Sequence, residues 1–294
     1  MNTVQGGKSM CLIEADHVSF SYPDVSRTIL QEVTFSIAQG EFIGLIGASG
    51  SGKTTLVKQL NGLLRPTAGR ILLNGQDTGR RPFRLAELRR HVGLVFQYPE
   101  HQLFKGTVLE DGAFGPSNLG ASPEEARQAA REALSLVGLG PEFENRSPLE
   151  LSGGEMRLAA IAGVLAMRPE LLILDEPAAG LDPAAKERML VLLRNIRAER
   201  GTSILLVSHS MEDIANCTDR VLALSGGRLL SDASPSLVFQ QVGRMQELGT
   251  GVPQITAAAE ELRRRGISVP SLPITVSEAV NCFETLLRED CHDR

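Results

Sequence analysis

Gly47-Ala48-Ser49-Gly50-Ser51-Gly52-Lys53-Thr54 stands between an apolar run, residues 42–47, and a helical pattern that opens near Lys53. It fits Gly-x-x-x-x-Gly-Lys-Ser/Thr at every fixed position. The glycines let backbone N–H groups turn inward around phosphate oxygens. The helix start behind them adds the positive end of a dipole. Lys53 can reach the outer phosphates, and the Thr54 hydroxyl can ligate Mg²⁺. A Gly-rich turn that ends in lysine by chance is the plain alternative. The strand before the loop and the helix after it are the context such a turn lacks. Bound nucleoside triphosphate is therefore expected on Gly47, Ser49, Gly50, Ser51, Gly52, Lys53, Thr54 and Thr55. The loop alone does not say what the triphosphate drives.

Upstream, Val18, Phe20 and Tyr22, then Val33, Phe35 and Ile37, alternate with polar residues, which predicts antiparallel strands over 11–37. Downstream, 92–97 reads as a strand. Ser122-Pro123-Glu124-Glu125 opens a helix that runs towards Gly138, with an N-cap serine, proline at N1 and glutamate at N3. A further helix begins near Ser152 and ends before Pro169. Two short apolar strands, 171–174 and 204–207, flank a helix from about Pro183 to Arg200. Strands alternating with helices predict an α/β fold whose parallel sheet is covered on both faces. The early strands predict an attached antiparallel sheet. No repeat or low-complexity tract interrupts the pattern.

Beyond about Val242 the character changes. Gly249, Gly251, Pro253, Pro270 and Pro273 separate short helical stretches. Thr275-Val276-Ser277-Glu278 is a capping box, and Val276, Ala279, Val280, Phe283, Leu286 and Leu287 fall on one helical face behind it. The expected division is a flexible lead over 1–10, a nucleotide-binding domain over 11–241, and a helical tail over 242–294. The apolar stripe must be covered, either by the chain's own body or by a partner.

Leu151-Ser152-Gly153-Gly154-Glu155 narrows the class. One helix later comes Leu171-Leu172-Ile173-Leu174-Asp175-Glu176-Pro177, an apolar strand with two carboxylates at its C-terminal end. That is where doubly wound sheets bind ligands. Asp175 suits Mg²⁺, and Glu176 suits the general base that polarises an attacking water. Each remaining element also has a dull explanation. Ser152 with Glu155 is a good capping box, and Asp182-Pro183 a good N-cap and N1 pair. His209 follows a strand, Gln97 ends one, and Tyr22 continues the apolar face of Phe20. Their combination, in this order, is what a chance arrangement does not supply.

In that order the chain resembles the ABC ATPases from about residue 12 to residue 240, and within them the energy-coupling-factor ATPases of vitamin and metal-ion uptake. The resemblance rests on Val95-Phe96-Gln97-Tyr98-Pro99-Glu100-His101-Gln102-Leu103-Phe104, on Phe114-Gly115-Pro116, and on Ile161-Ala162-Gly163-Val164-Leu165-Ala166-Met167. Met156-Arg157 and His209-Ser210-Met211-Glu212-Asp213 look like the second of the two paralogous ATPases in such systems. The resemblance implies an ABC-ATPase fold with a helical subdomain around 98–165. It also implies roles. Tyr22 would stack on adenine. Gln97 would touch Mg²⁺ or the attacking water and report nucleotide state to a membrane partner. Ser152, Gly153 and Gly154 would meet the γ-phosphate bound by the opposite subunit. Asp182 would lie at the dimer interface, and His209 would orient water and γ-phosphate. MgATP hydrolysis would drive import through a transmembrane coupling protein and a membrane-embedded substrate-binding protein, with a sister ATPase completing the pair. Leu158 and Ala159 depart from the usual basic residue and valine, and Ala178 from the usual threonine; none of the three removes a catalytic group.

Composition bounds these expectations. The 294 residues carry a net charge of −5, with 42% apolar and 22% charged residues. A mildly acidic chain has no general attraction to nucleic acid. The apolar runs at 158–167 and 171–174 fall well short of the roughly 18–20 residues that span a bilayer. No signal peptide is visible, so a place on the cytoplasmic face of the membrane, through partners, is expected. The four cysteines show no Cys-x-x-Cys spacing and read as reduced, structural thiols. Rival readings are the ATPase of another ABC importer or exporter, and a soluble ABC ATPase acting on ribosomes or DNA. The latter usually carries two nucleotide domains or a long coiled-coil insertion, and this chain has neither.

Overall fold

In the computed structural model, β-branched and aromatic residues of alternating polarity form two long strands at the start, β1 (Cys11–Ser21) and β2 (Thr28–Ala38). They pair antiparallel, with Val18 opposite Val33 and Phe20 opposite Leu30. The structure describes residues 11–23 and 27–292, with the side chains of Glu100 and of 285–292 outside that description. The expected lead over 1–10 therefore lies outside the described residues. The fully buried strand β3 (Phe42–Ile46) leads to α1 (Lys53–Leu60). Next come β4 (Ala68–Leu73), β5 (Gln76–Asp77), α2 (Leu85–His91) and β6 (Val92–Val95). Three helices follow: α3 (Val108–Asn118), α4 (Pro123–Leu136) and α5 (Gly153–Leu165). The strands β7 (Leu171–Asp175) and β8 (Ser203–Val207), buried at every position, flank α6 (Pro183–Arg200). Then come α7 (Met211–Cys217), β9 (Arg220–Ser225) and β10 (Arg228–Ala233). The tail holds α8 (Pro235–Phe239), α9 (Val242–Glu247), α10 (Gln254–Arg264) and α11 (Val276–His292).

One sheet has the order β2-β1-β4-β5 and is antiparallel throughout. The other has the order β10-β9-β3-β8-β7-β6. Its β3–β9 and β6–β7 pairs are parallel, and the edge pair β9–β10 is antiparallel. The parallel strands are short and apolar because both of their faces are covered. Packing groups the described residues into two compact units, 11–41 with 54–205, and 42–53 with 206–292.

In the first unit, small residues bring α3 and α4 together. Ala113, Ala126 and Ala130 form a buried cluster, and a Cβ on Gly112 would stand 3.1 Å from that of Ala130. Ser122 caps α4 with the complete capping box read from its sequence. In the second unit, the tail has its own small core of Val242, Ala259, Val269 and Leu272, against which Cys282 and Phe283 pack. The cap of α11 differs from the expected box. Thr275 Oγ1 accepts from the Glu278 N–H, but the Glu278 carboxylate reaches one residue further back, to the Ile274 N–H at 2.8 Å. The expected single apolar face of α11 is divided. Ala279 is buried and Phe283 packs inward, while Val276 is 70% and Val280 50% exposed. The side chains of Leu286 and Leu287 lie outside the described residues.

Candidate active site

In the first unit, β7 ends on Asp175, which is 5% exposed. The Thr54 hydroxyl donates to Asp175 Oδ2 at 3.0 Å. This leaves two hard oxygen donors side by side at the start of α1. Mg²⁺ is commonly held by one or two protein carboxylates, with substrate phosphates and water supplying the rest. Among the described residues, no group of three or more His, Cys, Asp or Glu side chains makes a fully protein-held metal site. The donor set thus suits Mg²⁺ that arrives with a phosphate ligand.

Glu176 follows in the left-handed backbone region, φ +53°. A non-glycine residue is uncommon there, and such strain collects at functional sites. Gln97 Nε2 donates to Glu176 Oε2 at 3.3 Å. The expected strand over 92–97 stops at Val95, because the Phe96 N–H turns to the Gln102 side chain instead of a ladder partner. The Tyr22 hydroxyl lies 3.5 Å from Thr55 Oγ1, and the ring packs at right angles on Phe20, centroids 4.8 Å apart. The first unit therefore joins Tyr22 to Thr55, Thr54 to Asp175, and Gln97 to Glu176.

Ser152 caps α5 with a full capping box. Its hydroxyl oxygen accepts from the Glu155 N–H at 3.3 Å, and its N–H donates to Glu155 Oε2 at 2.7 Å. Hydrogen bonding of the Glu155 carboxyl to the Ser152 side chain, and then to the Ser152 N–H, lowers its pKa. Ser152, Gly153 and Gly154 are exposed, and a Cβ on either glycine would meet nothing within 4 Å. Asp182 caps α6, accepting from the N–H groups of Ala184 and Ala185, and the bond from Ala185 is foremost in lowering its pKa. Arg157, 7% exposed, extends from α5 to the carbonyl of Ala179 at 3.0 Å, so the helix behind Ser152 is fastened to the loop ahead of Asp182. Sequence reasoning gave Arg157 no role. Beyond its place in the Met156-Arg157 wording, its signal is a buried guanidinium in a helix whose later positions are all apolar or glycine.

In the second unit, the loop after β3 wraps around its own lysine. Lys53 Nζ donates to the carbonyls of Gly47 at 2.7 Å and Ala48 at 3.1 Å. Gly50 and Gly52 have φ +76° and +106°. At Gly47, φ +155°, a Cβ would overlap the Leu224 carbonyl oxygen. Space requires glycine at Gly47, and the left-handed backbone favours it at Gly50 and Gly52, so the loop fits a ligand held by backbone N–H groups. Ser49 is exposed, while Ser51 is buried. His209 lies exposed just beyond the end of β8.

Comparison with known proteins bears directly on these groups. The family model described as ABC transporter matches residues 30–179. The energy-coupling factor transporter ATP-binding protein EcfA2 of Caldanaerobacter subterraneus subsp. tengcongensis is 47% identical over 270 residues, which cover 91% of this chain and 94% of the relative. The solved structure of cbiO1 from Clostridium perfringens, part of the ABC transporter complex cbiONQ, matches with a TM-score of 0.71 at 32% identity, covering 81% of this chain and 94% of that one. The dimeric, post-hydrolysis structure of the ATP-binding cassette MJ0796 with ADP and Pi matches with a TM-score of 0.67 at 27% identity, covering 76% of this chain and 99% of that one. Similarity that spans the phosphate loop, the carboxylate strand and nearly the full length of a relative is membership: this chain belongs to the ABC transporter ATP-binding proteins of the energy-coupling-factor type.

Proposed function

We propose that the chain is the ATP-hydrolysing subunit of an energy-coupling-factor transporter, paired with a sister ATPase on the cytoplasmic face of the membrane. Its work is the uptake of a vitamin or a transition-metal ion through a transmembrane coupling protein and a membrane-embedded substrate-binding protein. The observation that carries the reading is the pairing of Thr54 with Asp175 and of Gln97 with Glu176 at the end of one buried strand. Thr54 and Asp175, with Gln97, would hold Mg²⁺, which when bound would neutralise charge on the outer phosphates.

The chain's own groups do the rest. Tyr22 stacks on adenine. The N–H groups over 47–55 and Lys53 hold the phosphates. Glu176 takes the proton of the attacking water, and the Gln97 amide keeps its carboxylate oriented. His209 orients the water and the γ-phosphate. The open helix start at Ser152, Gly153 and Gly154 is a second anion seat. A chain with one phosphate loop has use for a second seat only if a partner supplies the phosphate, which supports the face-to-face pair, with Asp182 at its interface. Binding of ATP closes the pair, and hydrolysis with release reopens it.

Among the described residues, no helix is long and apolar enough to cross a membrane. On this reading, attachment runs through the coupling protein. Tyr98 and Phe104, 54% and 62% exposed, follow Gln97 in the chain. Phe104 packs edge-on against Phe114 at 4.8 Å, with Lys105 Nζ over both rings. Exposed aromatics of this kind favour a protein partner beside the residue that senses nucleotide.

The test is single-turnover hydrolysis by the complex assembled with its genomic neighbours. Glu176→Gln keeps ATP binding and slows hydrolysis by about 10²–10⁴-fold, the usual share of a general base. A near-normal rate overturns the assignment.

A further inference from the structure

The loop that carries His209 is tied down on both sides. Ser208 Oγ accepts from the Ser210 N–H at 3.0 Å. Ser210 caps α7: its Oγ accepts from the Asp213 N–H at 3.3 Å and donates to Glu212 Oε2 at 3.2 Å. The other oxygen of Glu212, Oε1, accepts the backbone N–H of Gln254 at 3.0 Å. Gln254 is the first residue of α10. One half-buried carboxylate therefore joins the His209 loop to the start of the tail. Hydrogen bonds to an ionised carboxylate are the stronger kind.

The same stretch of tail also reaches the phosphate loop. A Cβ on Gly249 would stand 3.5 Å from Ala48 Cβ, and the Ala48 carbonyl is one of the two that hold Lys53. Residues 249–254 thus meet both loops of this unit that carry site residues. An ordinary explanation for Glu212 is an acidic residue in the first turn of a helix, favoured by the dipole. That explanation needs no bond to Gln254, and Ser210 already caps the helix.

We propose that Glu212 is a positioning residue, which fixes the His209 loop against the tail so that the placement of the tail sets the rate of hydrolysis. The proposal rests on the reading of His209 given above. Withdrawal of the Gln254 N–H removes the tail's hold on the Glu212 carboxylate and so loosens the anchor of the Ser210 hydroxyl. The loop then samples more conformations, and His209 is in place for a smaller share of the time. A partner that draws α10 away would slow hydrolysis without touching nucleotide.

Gln254→Pro removes the donor alone. Proline is tolerated at the first position of a helix, and Pro253 before it already has the extended geometry that a following proline requires, φ −51° and ψ 142°. In the assembled transporter, Gln254→Pro and Glu212→Ala each lower kcat roughly fivefold, with KM for ATP and the melting temperature held. The double variant falls no further, because the two changes break one link. Wild-type kcat in Gln254→Pro, or multiplied losses in the double variant, overturns the proposal. Hydrogen exchange is the second readout: Glu212→Ala speeds exchange over 208–213 at an unchanged melting temperature, and unchanged exchange there also overturns it. His209→Ala separates the two assignments. A retained rate in that variant removes the role of His209 itself; a lost rate beside a normal Gln254→Pro removes only the link.

Discussion

Tyr22 is a residue for which two demands meet. It packs perpendicular to Phe20, as a core residue does, yet its hydroxyl stands beside Thr55 in the helix that follows the phosphate loop. A perpendicular ring pair does not sandwich the tyrosine, so stacking on adenine is compatible with it. Stacking of a base on an aromatic ring contributes about 1–3 kcal/mol. It acts alike on the ground state and the transition state, so Tyr22→Ala raises KM for ATP about tenfold and leaves kcat nearly unchanged. Steady-state hydrolysis by the assembled complex checks this. An unchanged KM with a lowered melting temperature in the absence of nucleotide returns Tyr22 to the core. Other residues are legible from sequence to different degrees. Gly47 is legible because the loop's chemistry demands glycine, and the Leu224 carbonyl then supplies a second, steric reason. The left-handed backbone of Glu176 carries no sequence signal, since glutamate has no preference for it. Arg157 is hidden for another reason: its partner is a backbone carbonyl, which looks the same at every position.

At the scale of elements, helix starts and unbroken apolar strands carry most of the legible signal. α6 runs from Pro183 to Arg200 as the cap at Asp182 and the left-handed Gly201 dictate. β7 and β8 are legible because a strand covered on both faces must be apolar throughout. β4 gives no such signal, since half of its residues are exposed. The start of α5 is where element and function coincide. Ser152 caps its own helix, and on the proposed mechanism it also meets a partner's phosphate. The two roles separate in Ser152→Asp. Aspartate caps as well as serine does, so the melting temperature is held. Its charge, however, faces a phosphate, so hydrolysis by the assembled pair is lost. Ser152→Ala does the reverse at the helix, costing about 1 kcal/mol of stability through the lost cap. Thermal melting beside hydrolysis distinguishes them; an active Ser152→Asp pair would leave Ser152 with the cap alone.

For the whole molecule, the open question is what covers the tail. Period alone assigns Val276, Ala279, Val280 and Phe283 to one face, because residues three and four apart are neighbours on a helix. Packing divides them into adjoining flanks. Ala279 and Phe283 close the tail's own core of Val242, Ala259, Val269 and Leu272, which no local pattern reveals, because those residues come from separate short elements. Val276 and Val280 form the other flank and stay exposed. The tail thus has an inner side that holds it together and an outer side available to a partner. A sister ATPase is the partner that fits the proposed cycle, because a contact outside the nucleotide interface keeps two subunits together when that interface opens. Val276→Asp with Val280→Asp tests this without disturbing the inner side. Exposed substitutions change stability by no more than about 0.5 kcal/mol, so the melting temperature stays put. Two buried-on-pairing valines made charged weaken nucleotide-free pairing with the sister ATPase at least about tenfold, read by sedimentation, since a charge left desolvated and unpaired at an interface is costly. Pairing in the presence of ATP is less affected, because the nucleotide then bridges the subunits. Ala279→Asp is the contrast: it strikes the inner side, and loses tail structure before it loses pairing. Undiminished nucleotide-free pairing in the double valine variant removes the outer flank of α11 from the dimer contact.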